Sequence, residues 1–213
     1  GVGTASDEIY HALMAFKQSR PDRKIVVHVR DMAASGGYYV ALAGDLIVGQ
    51  PTSVVGSIGV IISAVNMHQL GEKIGLQDVS VTSSSNKALL NPLDPINDTH
   101  SEILQGVVDQ MYERFKTLVL ENRPFNEEFA HENSIFDGRI FGQAEAMGLG
   151  LVDETGYLDQ SRRRMLDILG VSEAGFYEMN YQVGGWGSLF SVETPEILTP
   201  LKANSGFQYL WKP

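Results

Sequence analysis

The sequence predicts a layered α/β domain. Short β-branched apolar runs without polar alternation read as strands buried on both faces. Segments with apolar residues at helical spacing lie between them. Gly, Pro and Ser clusters mark the joins. With 213 residues the chain is long enough for one domain with a substantial core.

The elements follow in order. Ser6 to Ser19 places Ile9, Ala12, Leu13 and Phe16 on one helical face, and Pro21 ends the helix. Ile25 to Val29 is a buried strand, and a short helix from Tyr38 to Ala43 follows a turn of small residues. Leu46 to Val48 and Val54 to Ile62 are further strands, joined through Pro51, Thr52 and Ser53. A helix over Asn66 to Ile74 and a strand over Val79 to Val81 come next. The longest helix starts at Thr99, where Thr99 and Glu102 match a capping box, and runs to about Leu120. Its stripe of Ile103, Val107, Met111, Phe115 and Leu118, with Val108 and Val119 beside it, reads as core packing. Tyr157 to Leu169 is a last amphipathic helix whose Arg162, Arg163 and Arg164 form a solvated patch. Residues 171–213 depart from the pattern, with a strand over Phe176 to Tyr181, a Gly184 to Gly187 loop, and an aromatic end (Phe207, Tyr209, Trp211) suited to contact with another subunit.

Composition excludes several function classes. A net charge of −10 argues against nucleic acid or an anionic membrane as an electrostatic partner. No cysteine is present, so there is neither a disulfide framework nor a thiolate metal site. The histidines and acids show no metal-ligand spacing, and neither metal nor cofactor is expected. The most apolar stretch, Val54 to Val65, contains Gly and Ser and falls short of the roughly 20 residues that span a bilayer.

The chemistry concentrates at Ser35. It sits between the strand ending at Val29 and the helix starting near Tyr38, followed by Gly36 and Gly37. A helix start offers N–H groups to a developing oxyanion, and glycines admit a substrate carbonyl without a Cβ in the way. A serine hydroxyl needs a base within hydrogen-bond reach. None of His11, His28, His68, His100 and His131 lies in a setting that suggests that role, and His28 reads as a packed or edge residue of its strand. A lysine serves instead if burial lowers its pKa from about 10.4 towards neutrality. Lys87 stands in an acid-free run from Thr82 to Leu90. A neighbouring carboxylate would hold the lysine charged, so the absence of one suits a base.

Three blocks carry a family resemblance: Ala34-Ser35-Gly36-Gly37-Tyr38-Tyr39, then Gly56-Ser57-Ile58-Gly59-Val60, then Ser85-Asn86-Lys87. With the later Asp137-Gly138-Arg139 to Ala146 block and Gly150 to Asp153, they resemble the signal peptide peptidase A (protease IV-like) family over about residues 4–170. The resemblance implies a Clp protease/crotonase-like spiral of repeated ββα units, here one domain that lacks its first strand or strands. It implies a Ser-Lys endopeptidase with Ser35 as nucleophile, Lys87 as general base and Ser57 orienting Lys87. Gly36 supplies one oxyanion donor and Gly1 corresponds to the second. Tyr38, Ile58 and Gly59 are candidate substrate-binding positions. The substrate would be an extended peptide, a signal-peptide remnant or another membrane-derived segment. Family members form homo-oligomeric rings or bowls, in which serine and lysine of one site can come from different subunits or repeats. They act at the cell membrane with the catalytic domain on its outer face; any anchor would lie upstream of Gly1, and a cytoplasmic place is also open. Residues 1–170 form the catalytic unit and 171–213 an extension. Two other readings share the fold, an acyl-CoA enzyme of crotonase type and a non-catalytic scaffold.

Overall fold

The computed structural model describes residues 3–177. Helix α1 (Gly3–Gln18) leads to strand β1 (Val26–Val29), a corner at Arg30 and Asp31, strand β2 (Met32–Ala34) and helix α2 (Gly36–Ala41). The same unit then repeats. Strand β3 (Leu46–Gly49) turns through Pro51 and Thr52 into β4 (Val54–Gly56), followed by α3 (His68–Ile74).

Each ββ corner delivers one strand to each of two sheets. β1 pairs in parallel with β3, and β2 in parallel with β4. Backbone bonds carry the pairing through the corners: Gln50 N–H donates to Val29 O at 2.9 Å, and Val54 N–H to Asp31 O at 2.9 Å. A helix α4 (Asp98–Asn122) and a short α5 (Glu127–Glu132) cross to β5 (Ile140–Gly142), which adds antiparallel to β4. Helix α6 (Gln143–Gly148) then leads to β6 (Glu154–Thr155), parallel to β3, and α7 (Leu158–Leu169) closes the described chain. The architecture is a single α/β domain of repeated ββα units, as the sequence led us to expect.

One core serves both sheets. Tyr39 of α2 meets Tyr10 of α1 edge-on at 5.7 Å and Phe115 of α4 at 5.0 Å, so three helices lock around one ring. Tyr38 is fully buried, and its hydroxyl donates to Leu151 O at 2.8 Å. A satisfied polar bridge joins the sheets: Ser53 Oγ donates to Gln143 Oε1 at 3.1 Å, while Gln143 Nε2 donates to Glu154 O and Thr155 Oγ1. Gly49 makes room for it, since a Cβ there would stand 2.0 Å from Gln143 Oε1.

Several expectations need correction. Residues 79–81 form no strand; Val79 and Val81 are 87% and 98% exposed. Asp78 explains this, because its carboxylate accepts from Ser80 N–H and Ser80 Oγ in a local turn that competes with sheet pairing. The cap of α4 is Asn97, whose Oδ1 accepts from His100 N–H at 3.2 Å, rather than Thr99. The strand expected to run from Val54 to Ile62 ends at Gly56, whose φ of 103° turns the chain out of the ladder. α5, capped by Asn126, occupies a stretch the sequence reading left unassigned. The strand expected over Phe176 to Tyr181 and the aromatic end lie largely or wholly outside the described residues.

Candidate active site

The β2–β4 register builds the site. Ala34 stands opposite Gly56 in a parallel ladder, so Ser35 and Ser57, each one residue beyond its strand, become neighbours. Ser35 N–H donates to Gly56 O at 2.8 Å, and Ser57 N–H to Arg139 O at 2.6 Å. Both serines have positive φ, 55° at Ser35 and 50° at Ser57. With ψ at −122°, Ser35 takes the conformation of the first central residue of a type II′ turn, about +60° and −120°, which glycine usually occupies. Such strain costs on the order of 1–3 kcal/mol and concentrates where function requires it.

Ser35 is 2% exposed and precedes α2, but its side chain makes no capping bond. Among the described residues its hydroxyl has no hydrogen-bond partner, and it faces a cavity of about 460 Å³. Ser57, Gly59 and Val60 line the same cavity; Ile58 borders it but is fully buried in the core, so of the three candidate substrate-binding positions only Gly59 has accessible surface there. Tyr38 is a core residue and forms no part of the wall. Gly36 opens α2, where the first N–H groups have no acceptor within the helix. With only six residues in α2, these individual N–H groups matter more than any helix dipole. Gly1 lies outside the described residues.

Lys87 neither lines the Ser35 cavity nor hydrogen-bonds to Ser35. It occupies an exposed 3₁₀ turn (Ser85–Ala88), and among the described residues its ammonium has neither a hydrogen bond nor an ion pair. His100 Nε2 lies 3.3 Å from Ser85 O and steadies that turn. None of the histidines lines the Ser35 cavity. His28 Nδ1 is 2.8 Å from Ser161 Oγ and its Nε2 is 3.3 Å from Gln50 Nε2; burial and the nearby Arg30 lower its pKa. It is a packed strand residue, as expected from the sequence.

Sequence reasoning missed the opposite wall. α4 contributes Gln105, Asp109 and Tyr112, and the following loop contributes Phe136, Asp137 and Gly138. The Tyr112 hydroxyl donates to Phe136 O and ties the two together. Asp137 accepts from Arg139 Nε, and the guanidinium holds its carboxyl below the usual range. The Asp137-Gly138-Arg139 block was visible in the sequence, but only as the lead into a strand. No group of His, Cys, Asp and Glu able to hold a metal ion occurs among the described residues.

The family model described as Peptidase family S49 matches residues 17–172, which include Ser35, Ser57 and Lys87. The chain belongs to peptidase family S49. Its relatives in the family's range include an Enterococcus faecium protein provisionally named signal peptide peptidase SppA, 28% identical over 88% of this chain and 55% of its own length. The chloroplastic serine protease SPPA of Arabidopsis thaliana is 26% identical over 76% of this chain and 23% of its own. A Brucella abortus protein named Na(+)/H(+) antiporter NhaA is 37% identical over 63% of this chain but only 18% of its own length. This S49 chain thus spans from under a fifth to about half of these relatives. An enoyl-CoA hydratase of Mycobacterium smegmatis overlays 77% of the chain and 44% of its own at 14% identity, with a TM-score of 0.41. So loose an overlay carries no argument about chemistry. No helix among the described residues is long and apolar enough to cross a membrane.

Proposed function

We propose that the protein is a serine endopeptidase in which Ser35 attacks the scissile carbonyl and Lys87 accepts its proton. The observation that carries this reading is the strained, buried Ser35 hydroxyl, without a partner among the described residues, on a cavity shared with Ser57. The fold holds a costly backbone conformation to present a hydroxyl that stabilises nothing else. Lys87 then hands the proton to the leaving amine, and Ser57 orients the lysine. The Gly36 N–H receives the oxyanion; losing one such donor typically costs about 10²–10³ in rate.

Lys87 reaches Ser35 on assembly with a second copy of the chain. Supporting this, the segment around Lys87 exposes much apolar surface, with Val65 at 74%, Val81 at 98% and Ile96 at 78%. Covering such surface favours association, and burying a lysine disfavours its charged form. The substrate is an extended peptide such as a signal-peptide remnant. Among the described residues β2 ends its sheet, and it leads directly into Ser35, so a peptide strand added beside it runs to the nucleophile. On the family resemblance we place the activity at the cell membrane, on its outer face.

Asp109 and Asp137 also line the cavity, and an acyl-CoA enzyme would draw its acid and base from carboxylates so placed. Binding and turnover of a coenzyme A thioester is its test. The peptidase reading is tested with a quenched fluorogenic peptide on wild type, Ser35→Ala, Lys87→Ala and an equimolar mixture of the two variants. Each variant is inactive alone and the mixture regains part of the activity, because mixed assemblies contain intact sites. Full activity of Ser35→Ala would overturn the proposal, and a mixture as dead as its components would overturn the assembly between copies.

A further inference from the structure

The wall of the Ser35 cavity formed by α4 takes no part in the proposed reaction, yet it is chemically distinctive. Gln105 and Asp109 stand one helical turn apart, and Gln105 Nε2 donates to Asp109 Oδ1 at 2.7 Å. Among the described residues Asp109 has no cation partner. The other carboxylate of the cavity, Asp137, is matched by Arg139, whose Nε lies 2.9 Å and 2.8 Å from its two oxygens. One uncompensated negative charge therefore remains at the cavity edge, above apolar walls that include Val60, Ile61 and Val108. The volume of about 460 Å³ suits a ligand cleft, for which roughly 300–1,000 Å³ is usual. Independently of the acids, the buried Ser35 hydroxyl, without a partner among the described residues, marks this cavity as the place where a ligand meets the nucleophile.

An aliphatic stem ending in a cation fits that combination. Lysine and arginine lay their methylenes along apolar surface and keep the charged end in a polar, hydrated place. A purely apolar side chain would fill the walls but leave Asp109 without a counter-charge. We infer that the cavity beside Ser35 receives a lysine or arginine side chain of the peptide substrate, with Asp109 accepting its charged end. This rests on the peptide reading above and adds a specificity-determining residue to it. Asp109 is exposed, so the preference is modest: about three- to five-fold, the upper end for a solvated ion pair. The overall charge of −10 also attracts cationic peptides, but that attraction does not depend on which position carries the charge.

The test measures binding without turnover. Ser35→Ala protein is titrated with labelled extended peptides that carry lysine, norleucine or glutamate at one position, scanned along the peptide. At one position lysine binds about three to five times more tightly than norleucine. Adding Asp109→Asn brings that ratio down to the background seen at the other positions, and Asp109→Lys turns the preference there towards glutamate. The same ratio at every position, or a position-specific excess that survives Asp109→Asn, overturns the inference. The same peptides are offered to wild-type protein as substrates. Binding discrimination without cleavage would uphold the cavity assignment and remove the peptidase reading. Cleavage without discrimination would remove the cavity assignment alone.

Discussion

Replacing Ser35 by glycine should destroy activity and make the protein more stable. Ser35 sits at φ 55° and ψ −122°, where a Cβ is unfavourable and glycine is at home. Relief of that strain stabilises the fold by about 2 kcal/mol, the middle of the range for such conformations. The extra freedom of glycine in the unfolded chain takes back about 0.4–1 kcal/mol. Removing a buried hydroxyl that has no partner among the described residues adds about 1 kcal/mol, the low end because the cavity admits water. No cap is lost, since the Ser35 side chain makes no capping bond. The net gain is about 2 kcal/mol for Ser35→Gly, which raises Tm by roughly 4–8 °C in a chain of this size. Ser35→Ala keeps the strain and gains only the hydroxyl contribution of about 1 kcal/mol, roughly 2–4 °C. Thermal and urea unfolding followed by circular dichroism measure both. Wild type at least as stable as both variants, or glycine no better than alanine, would refute the claim that strain is stored at Ser35.

Other changes have equally definite outcomes. Gly56→Ala places a Cβ 2.8 Å from Phe141 Cδ2 and 2.9 Å from Arg139 O at a φ of 103°, so it should destabilise by at least about 2 kcal/mol in urea unfolding. Tyr38→Phe leaves the buried Leu151 carbonyl without its donor and should cost about 1–2 kcal/mol, with the Tm as readout. His28 is held neutral by burial and by Arg30, with its pKa below the ordinary 6.5. Below that pH the unfolded chain binds a proton that the folded chain refuses, so the stability contributed by neutral His28 is present above pH 6.5 and falls away on acidification. A Tm series from about pH 7.5 to about 5.5 should therefore decline more steeply for wild type than for His28→Gln.

Much of the fold was legible because local and global preferences agree. Pro21 bounds α1, continuous apolar runs mark β1 and β3, and the Phe115 and Leu118 end of the α4 stripe is buried with Val119, whereas Ile103 at its start is exposed. The failures arise where a local polar group overrides the pattern. The valines at 79 and 81 alternate like a strand, but Asp78 turns the chain, and Asn97 caps α4 ahead of the better-looking Thr99. The site divides in the same way. Ser35, Ser57 and Lys87 stand out as residue types in small-residue settings. What brings Ser35 and Ser57 together is the register of two three-residue strands, which no periodicity records. Gln105 and Asp109 escaped notice because the apolar stripe drew α4 entirely into the core. In fact a second face of that helix forms the cavity wall.

The most direct test of the central claim is intact-mass analysis after a serine-directed acylating inhibitor, on wild type, Ser35→Ala and Lys87→Ala at concentrations where the protein assembles. The account predicts one adduct per chain on wild type and none on either variant, since Ser35 accepts the acyl group only when Lys87 takes its proton. An adduct of equal yield on either variant, or none on assembled wild type, would contradict it.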